Sequence, residues 1–370
     1  MTSNILEHQF TVTSFAFNAD CSQIAVGLSN HNIEIYQYEG PQKWTKIATL
    51  KKHIARVTGI DWAPNSNRIV SCSSDRDAYV WEIDSTGNWN PGNVVLLRIN
   101  RAGVTVKWSP QENKFAVGSA DRRVSVCYFE NGQQAWVSKH IKKPIKSTIN
   151  CLSWHPGNHI LACGSTDNHC RIFSAFIKDC EERGKASGWG TRMNFGNCLQ
   201  EFRCNGWVTA VSFDPTGEIL AFAGQDSTLQ LVKAGSQEPI IHYGTQMPFN
   251  CIEWTLGSTN LVAAGHDRGV FGFTYDGAET ITCDGKHYGN VKKQFGGAMA
   301  AFQNLDKRGV ALGTENENKI ATMHIGPIND LRICAGEKGD VQKIATSSTD
   351  GRIYLWNWSD LSSKLEQLTL

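Results

Sequence analysis

Short stretches in which apolar and polar residues alternate return again and again along this chain. The clearest copy runs from Val57 to Glu82. Val57–Trp62 alternates, which predicts a strand with one face buried. Ala63-Pro64-Asn65 reads as a turn, Ile69–Ser73 as a second strand, Ser74–Asp77 as another turn and Ala78–Trp81 as a third strand. Asp75 sits in the second turn and Trp81 closes the third strand. One such unit cannot bury its faces alone, so the copies must stack.

With the turn acid as anchor, the pattern recurs at Asn30, Asp75, Asp121, Asp167, Asp226, Asp267 and Asp350. A first-strand signature precedes each anchor: VTSFAFN, VTGIDWAP, VTVKWSP, INCLSWHP, VTAVSFDP, FNCIEWT and INDLRIC. Successive anchors lie 45, 46, 46, 59, 41 and 83 residues apart. A period of about 40–45 residues with four strands per copy is that of WD-type propellers. The pattern therefore predicts an all-β, seven-bladed WD-repeat β-propeller, a single domain over residues 1–370. The closing Trp is present at Trp81 and Trp356, while Tyr36, Tyr128 and Phe173 hold that place elsewhere. Outer strands are expected in 43–50, 94–100 and 135–141. Ile5 and Leu6 either supply the outer strand of the last blade or belong to a frayed end.

The recurring residues point to structure more than to chemistry. A turn Asp can accept backbone N–H groups and a hydrogen bond from an upstream His. His8, His53 and His324 stand upstream of Asn30, Asp75 and Asp350. With Ser71 and Trp81, His53 and Asp75 can close a buried network. A hydrolase would use such residues once, whereas here they return with the repeat, so no catalytic residue is assigned. The twelve cysteines are scattered without a C-x-x-C pair, which argues for reduced thiols and against a metal site or a disulfide framework. No cofactor motif is present: Gly188, Gly190 and Gly196 lack the strand and helix of a nucleotide fingerprint.

Charge and hydropathy narrow the function further. The formal net charge is +1, so bulk charge predicts no affinity for nucleic acid or an anionic membrane. No apolar run is long enough to span a bilayer, and the N-terminal residues lack a signal-peptide core. A cytoplasmic protein is expected, in which the sequon at Asn357 is incidental.

Three segments depart from the repeat. Lys139, Lys142, Lys143 and Lys146 make a basic run between blades three and four, either a solvated edge or a patch for an acidic partner. Arg98 and Arg101 lie in the equivalent link one blade earlier, and enlarge the patch if both links share a face. Residues 176–202 form a long loop carrying Trp189, Met193 and Phe195, either pinned to its own blade or open to a partner. Residues 284–323 form an insertion between blades six and seven. Within it Val291, Phe295, Met299, Phe302 and Leu305 recur at helical spacing, and Lys307 and Arg308 suit the end of a helix that Gly309 stops. This helical face either docks on the side of the propeller or projects as an arm into a partner's groove. Leu361, Leu365 and Leu368 allow a last helix or strand packed on the ring.

The chain also resembles the WD-repeat subunit, subunit 1, of the actin-related protein 2/3 (Arp2/3) complex. The resemblance spans nearly the whole chain and lies largely outside the generic repeat. It is carried by WTKI at 44–47, NRIVSC at 67–72, LRINRA at 97–102, ENKFAVGS at 112–119, KHIKKPI at 139–145, EER at 181–183, VAAGHD at 262–267 and FQNLDK at 302–307. It implies a non-enzymatic scaffold in branched-actin nucleation that contacts other subunits, including an actin-related protein. It also implies partners in the actin filament and in the acidic tails of nucleation-promoting factors, and a place in the actin cytoskeleton. Carried over, it assigns Phe302, Gln303, Asn304, Leu305, Asp306 and Lys307 to a binding helix. Ala300 and Ala301 stand where charged residues commonly precede that Phe. The other function considered is a generic WD-repeat adaptor, such as a substrate receptor or a chromatin reader.

Overall fold

The computed structural model describes residues 5–40, 43–182, 188–287, 324–337 and 340–357. In blade two, Val57–Trp62, Ile69–Ser73, Ala78–Ile83 and Trp89–Val95 pair in sequence order as an antiparallel meander. Five sheets have this form, and their inner strands are Val12–Phe17, Val57–Trp62, Gly103–Trp108, Ile149–Trp154 and Val208–Phe213. An eight-stranded sheet contains the last two blades, joined where Leu256 pairs with Asp340. Blade six runs from Phe249–Leu256 to Ile281–His287. Blade seven takes Ile328–Glu337, Asp340–Ser348 and Arg352–Asn357, and its outer strand is Ile5–Glu7 from the other end of the chain. The ring is thus a seven-bladed propeller closed by its N-terminal strand, with no helix among the described residues.

The outer strand of blade two is Trp89–Val95, not 94–100. The apolar run VVLL extends the hydrophobic pattern past the pairing. Arg98 adopts φ 51°, a left-handed conformation that ends the extended chain. Residues 284–287 likewise belong to the outer strand of blade six, and 198–202 to the outer strand Cys198–Arg203 of blade four.

The second position of each first-strand signature is Thr or Asn, and the ring explains why. Thr58 Oγ1 donates to Gly103 O at 2.8 Å, Asn150 Nδ2 to Val208 O at 3.0 Å, Asn250 Nδ2 to Ile328 O at 2.9 Å and Asn329 Nδ2 to Val12 O at 2.8 Å. Each bond joins one inner strand to the inner strand of the next blade. The apolar core is divided in the same way. Seven buried clusters occupy the seven junctions between neighbouring blades: Val70 and Val80 of blade two, for example, pack with Trp108 and Phe115 of blade three. Removing one blade would therefore expose two junctions.

At the closing seam, Ile5, Leu6 and Glu7 pair with Tyr354, Ile353 and Arg352, and Leu6 is buried. Deleting residues 1–7 loses this pairing and the burial of one Leu side chain, so stability should drop by about 2–3 kcal/mol. Asn329→Ala, which removes one inter-blade bond at the same seam, should cost about 1 kcal/mol. Thermal and denaturant unfolding measure both; an unchanged midpoint in the truncated chain would show that the strand does not hold the ring.

Candidate partner-binding surfaces

The turn acids position the links between blades. In blade two, His53 Nδ1 lies 2.8 Å from Asp75 Oδ2 and His53 Nε2 lies 2.8 Å from Ser71 Oγ. The Trp81 indole N–H also donates to Ser71 Oγ, at 2.9 Å. These three residues have the connectivity of a Ser–His–Asp triad, yet Ser71 is fully buried and its oxygen already receives the indole proton. No substrate atom can reach it, so the arrangement serves the fold. Blade seven repeats it with His324 Nε2 2.8 Å from Thr346 Oγ1 and Trp356 Nε1 donating to the same oxygen at 2.9 Å.

Elsewhere the acid keeps its place and its partner changes. Arg171 Nη1 donates to both oxygens of Asp167 at 2.8 Å. Asp121 pairs with Arg123 at 2.8 Å. Asp226 receives the Thr228 hydroxyl at 2.7 Å, with Cys204 where blade two has His53. His8 turns toward Glu34 and Tyr36 instead of Asn30, whose side-chain oxygen takes the Asn32 N–H at 3.2 Å.

One bond is common to all the aspartate turns. The carboxylate accepts a backbone N–H from the link entering its blade: Ile54 at 3.0 Å, Asn100 at 3.1 Å, Lys146 at 2.8 Å, Asn205 at 3.1 Å, Met247 at 2.8 Å and Ile325 at 2.8 Å. Burial pushes Asp75 up, but the His53 hydrogen bond and the N–H groups of Asp77 and Ile54 outweigh it and hold the carboxyl below its ordinary value. Asp167, through Arg171 and Lys146, and Asp350, through His324 and Ile325, are lowered despite burial in the same way.

Strands alternate in direction, so the links and the turns between second and third strands share one face. Arg98 and Arg101 of one link are exposed on it, together with Lys142, Lys143 and Lys146 of the next. The two links are tied: His140 Nε2 lies 2.8 Å from Leu97 O, and Ser138 Oγ donates to Leu96 O at 2.9 Å. Lys139 is directed elsewhere. Its ammonium pairs with Asp179 at 2.7 Å and sits 5.1 Å from the centre of the Tyr128 ring. Lys51, Lys52, Arg56, Arg76 and Arg122 extend the exposed basic arc on this face. They escape a search for charge runs because they are spread over a link and two turns; their spacing from the anchors is the signal that gathers them. Apolar side chains accompany the arc, with Ile54 83% exposed on the link of Lys51, Lys52 and Arg56, and Trp207 50% exposed on the link entering blade five.

The loop after blade four's third strand is pinned. Trp189 is buried and donates to Gly217 O of blade five at 2.6 Å, and Met193 packs in the junction between blades four and five. Phe195 packs on the junction between blades three and four. Glu181 is buried, pairs with Lys114 of blade three, lies 2.8 Å from His159 Nδ1 and accepts from Ile177 N at 2.7 Å. The expected arm helix, with Phe295, Met299, Phe302, Gln303, Asn304, Leu305, Asp306, Lys307 and Arg308, lies outside the described residues, as does the terminal stretch with Leu361, Leu365 and Leu368.

Asp75→Ala leaves His53 and the Ile54 N–H without their acceptor and should cost about 3 kcal/mol, read by chemical unfolding. The carboxyls of Asp75, Asp167 and Asp350 are lower in the folded state than in the unfolded chain. Their stabilisation is therefore full above the ordinary carboxylate value near 4 and is lost as pH falls through the folded value. Unfolding midpoints measured from pH 6 down to pH 2 (about one unit per step) should fall for the wild type and fall less steeply for Asp75→Asn.

Comparison with known proteins bears on what this surface is. A family model described as "WD domain, G-beta repeat" matches residues 44–82 and 196–232, and one described as "Anaphase-promoting complex subunit 4 WD40 domain" matches 106–188. Over the whole chain the similarity is more specific. Actin-related protein 2/3 complex subunit 1A-B of Xenopus laevis is 42% identical over 98% of this chain and 99% of its own length. Subunit 1 of Schizosaccharomyces pombe is 38% identical over 92% of this chain and 95% of its own. Subunit 1B of Arabidopsis thaliana is 31% identical over 97% of each. Identity at this level over nearly the whole of each chain, far beyond the segments that the generic repeat model matches, places the chain in the family of Arp2/3 complex subunit 1 proteins.

Proposed function

We propose that this chain is the non-catalytic propeller subunit of an Arp2/3-type complex, acting as a scaffold in the nucleation of branched actin filaments. The observation that carries this reading is the full-length similarity to subunits named for that complex in an animal, a yeast and a plant. The fold suits the role. A closed ring with seven inter-blade junctions resists deformation, so contacts on its rim and faces hold their relative positions. The triad-like clusters of blades two and seven are both sealed, with Ser71, His324 and Thr346 fully buried, which favours binding over catalysis. The corresponding location is the actin cytoskeleton of the cytoplasm.

Two finer assignments follow. The exposed basic arc of Arg98, Arg101, Lys142, Lys143 and Lys146 is the docking site for the acidic tail of a nucleation-promoting factor. Local clustering supplies the attraction that a net charge of +1 does not. The segment 284–323 supplies, beyond the strand ending at His287, an arm whose Phe302 and Leu305 meet the filament or an activator. A weak contact of this kind adds to the bound assembly through effective concentration.

A tagged chain purified from cytosol should elute as one stoichiometric particle with two actin-related proteins; elution alone, or with other machinery, would overturn the scaffold assignment. Lys142→Glu with Lys143→Glu should leave that particle intact and weaken binding of an acidic peptide about tenfold at low salt, the difference shrinking as salt rises. Fluorescence anisotropy over a salt series reads this. Phe302→Ala with Leu305→Ala should also leave assembly intact while slowing branch formation; unaltered branching kinetics would remove the arm from the mechanism.

A further inference from the structure

The chain crosses from blade seven to blade one at His8. Its backbone N–H, just past the closing strand Ile5–Glu7, donates to Gly351 O in the turn of blade seven at 2.9 Å. Gly351 has φ 81°, and a Cβ there would lie 2.6 Å from His8 O, so the turn receives the link only as glycine. The His8 side chain points the other way, into blade one. It is 4% exposed, meets the Tyr36 ring edge-on with centroids 5.3 Å apart, and brings Nδ1 to 3.9 Å from Glu34 Oε2. One residue thus has its backbone at one end of the ring and its imidazole at the other.

The other link histidines have partners that His8 lacks. His53 is held at Nδ1 by Asp75 and at Nε2 by Ser71, and His324 lies beside Asp350 and Thr346. In blade one, Val26 takes the ladder position of Ser71, and Asn30 takes the turn position of Asp75. The imidazole is kept while both supports are gone, and its Nε2 has no hydrogen-bond partner among the described residues. Glu34 does not replace them. One of its oxygens receives the Tyr36 hydroxyl and the other the Lys46 ammonium, at 3.1 Å. The other charges at this seam are engaged too: Arg352 lies 3.2 Å from Glu7, and Asp350 accepts from Ile325 N at 2.8 Å. A proton on His8 would therefore place a charge in a buried site whose nearest carboxylate is already occupied. Burial holds the group below its ordinary value, with Glu34 opposing the effect and Lys46 adding to it.

We propose that His8 is a proton-operated latch on the ring: uptake of a proton by its imidazole releases Ile5–Glu7 from blade seven and bares the edge of Arg352–Asn357. The strand is the part of the seam able to respond. It pairs over three residues and buries Leu6, so its local opening costs far less than the unfolding of a blade. In the opened strand His8 reaches water and takes its proton at the ordinary value of about 6.5, while in the closed strand it resists to lower pH. Opening is thereby coupled to one proton. The closed seam has its full stability above about pH 6.5, loses it as pH falls below that value, and loses no more once pH is below the folded value. Neutral conditions keep blade seven four-stranded. Mild acid leaves it with an unpaired outer edge, on which an extended segment of another chain can pair.

Amide hydrogen exchange on the full chain tests this. It is read by mass spectrometry on the peptides that contain residues 5–8 and 352–357, and corrected for the intrinsic pH dependence of exchange. From about pH 7.5 to about pH 5.5 the corrected exchange of both peptides should rise by up to about tenfold, the limit for one proton taken up near 6.5. Burial also holds His140 and His155 low, but they lie in blades three and four, where other peptides report them separately. His8→Leu, which cannot take the proton, should keep the protection seen at neutral pH and abolish the rise. Lys46→Met, changed at an exposed position of the outer strand Lys43–Leu50, frees a Glu34 oxygen for the imidazolium and should shrink the rise. This second variant carries the test should His8→Leu fail to fold. Wild-type protection that does not change over this range, or a rise that persists undiminished in either folded variant, would overturn the proposal.

Discussion

The carboxylate in each aspartate turn is the constraint on which the rest of this ring depends. It takes the N–H of the link arriving from the preceding blade, so one carboxylate fixes both the turn it occupies and the path between two sheets. An ionised acceptor binds a backbone N–H more strongly than a neutral one, which gives the interaction its weight. What lies behind the acid is free to vary. His53 with Ser71 and Trp81, Arg171 with Glu201, and Cys204 with Thr228 each supply support in a different chemical form. The repeat is therefore recognisable at the acid and degenerate around it.

The core amplifies this. Each apolar cluster belongs to two blades, and the Thr or Asn at the second position of an inner strand reaches the next one. No blade is complete by itself, and the ring is complete only when its ends meet. That places a three-residue strand, Ile5–Glu7, in a role out of proportion to its length.

A rigid ring leaves the exposed positions of its links free to differ, because the turn acids hold the link backbones while buried link residues such as Leu97, Ile99 and Ile145 enter the core. Basic residues gather on the links and turns of blades two to four, with Ile54 exposed among them and Trp207 exposed on the link entering blade five. Acids on the opposite face, such as Asp84 and Asp276, cap their own turns. A near-zero net charge thus conceals a face with a strongly local character. This is the property expected of a subunit that holds several partners at fixed positions.

The strands, their number per blade and the seven anchors were legible from alternation and spacing, because a half-buried strand imposes a period of two wherever it occurs. The His53–Asp75–Ser71–Trp81 network was legible too, since a His upstream of the turn, a hydroxyl four residues before the acid and a Trp six residues after it stand in one copy of the repeat. Other features were not. Trp189 and Met193 read equally well as exposed or pinned, and only packing against blade five decided it. Lys139 read as part of the basic run until Asp179, far along the chain, claimed its charge. Arg56, Arg76 and Arg122 joined Arg98 and Lys142 only once the meander set links and turns on one face. The chain by itself determined which residues form strands and turns, because that depends on neighbours in sequence. The tertiary structure alone decided which charges remain free and which loop side chains are pinned, because both depend on residues brought together by closing the ring.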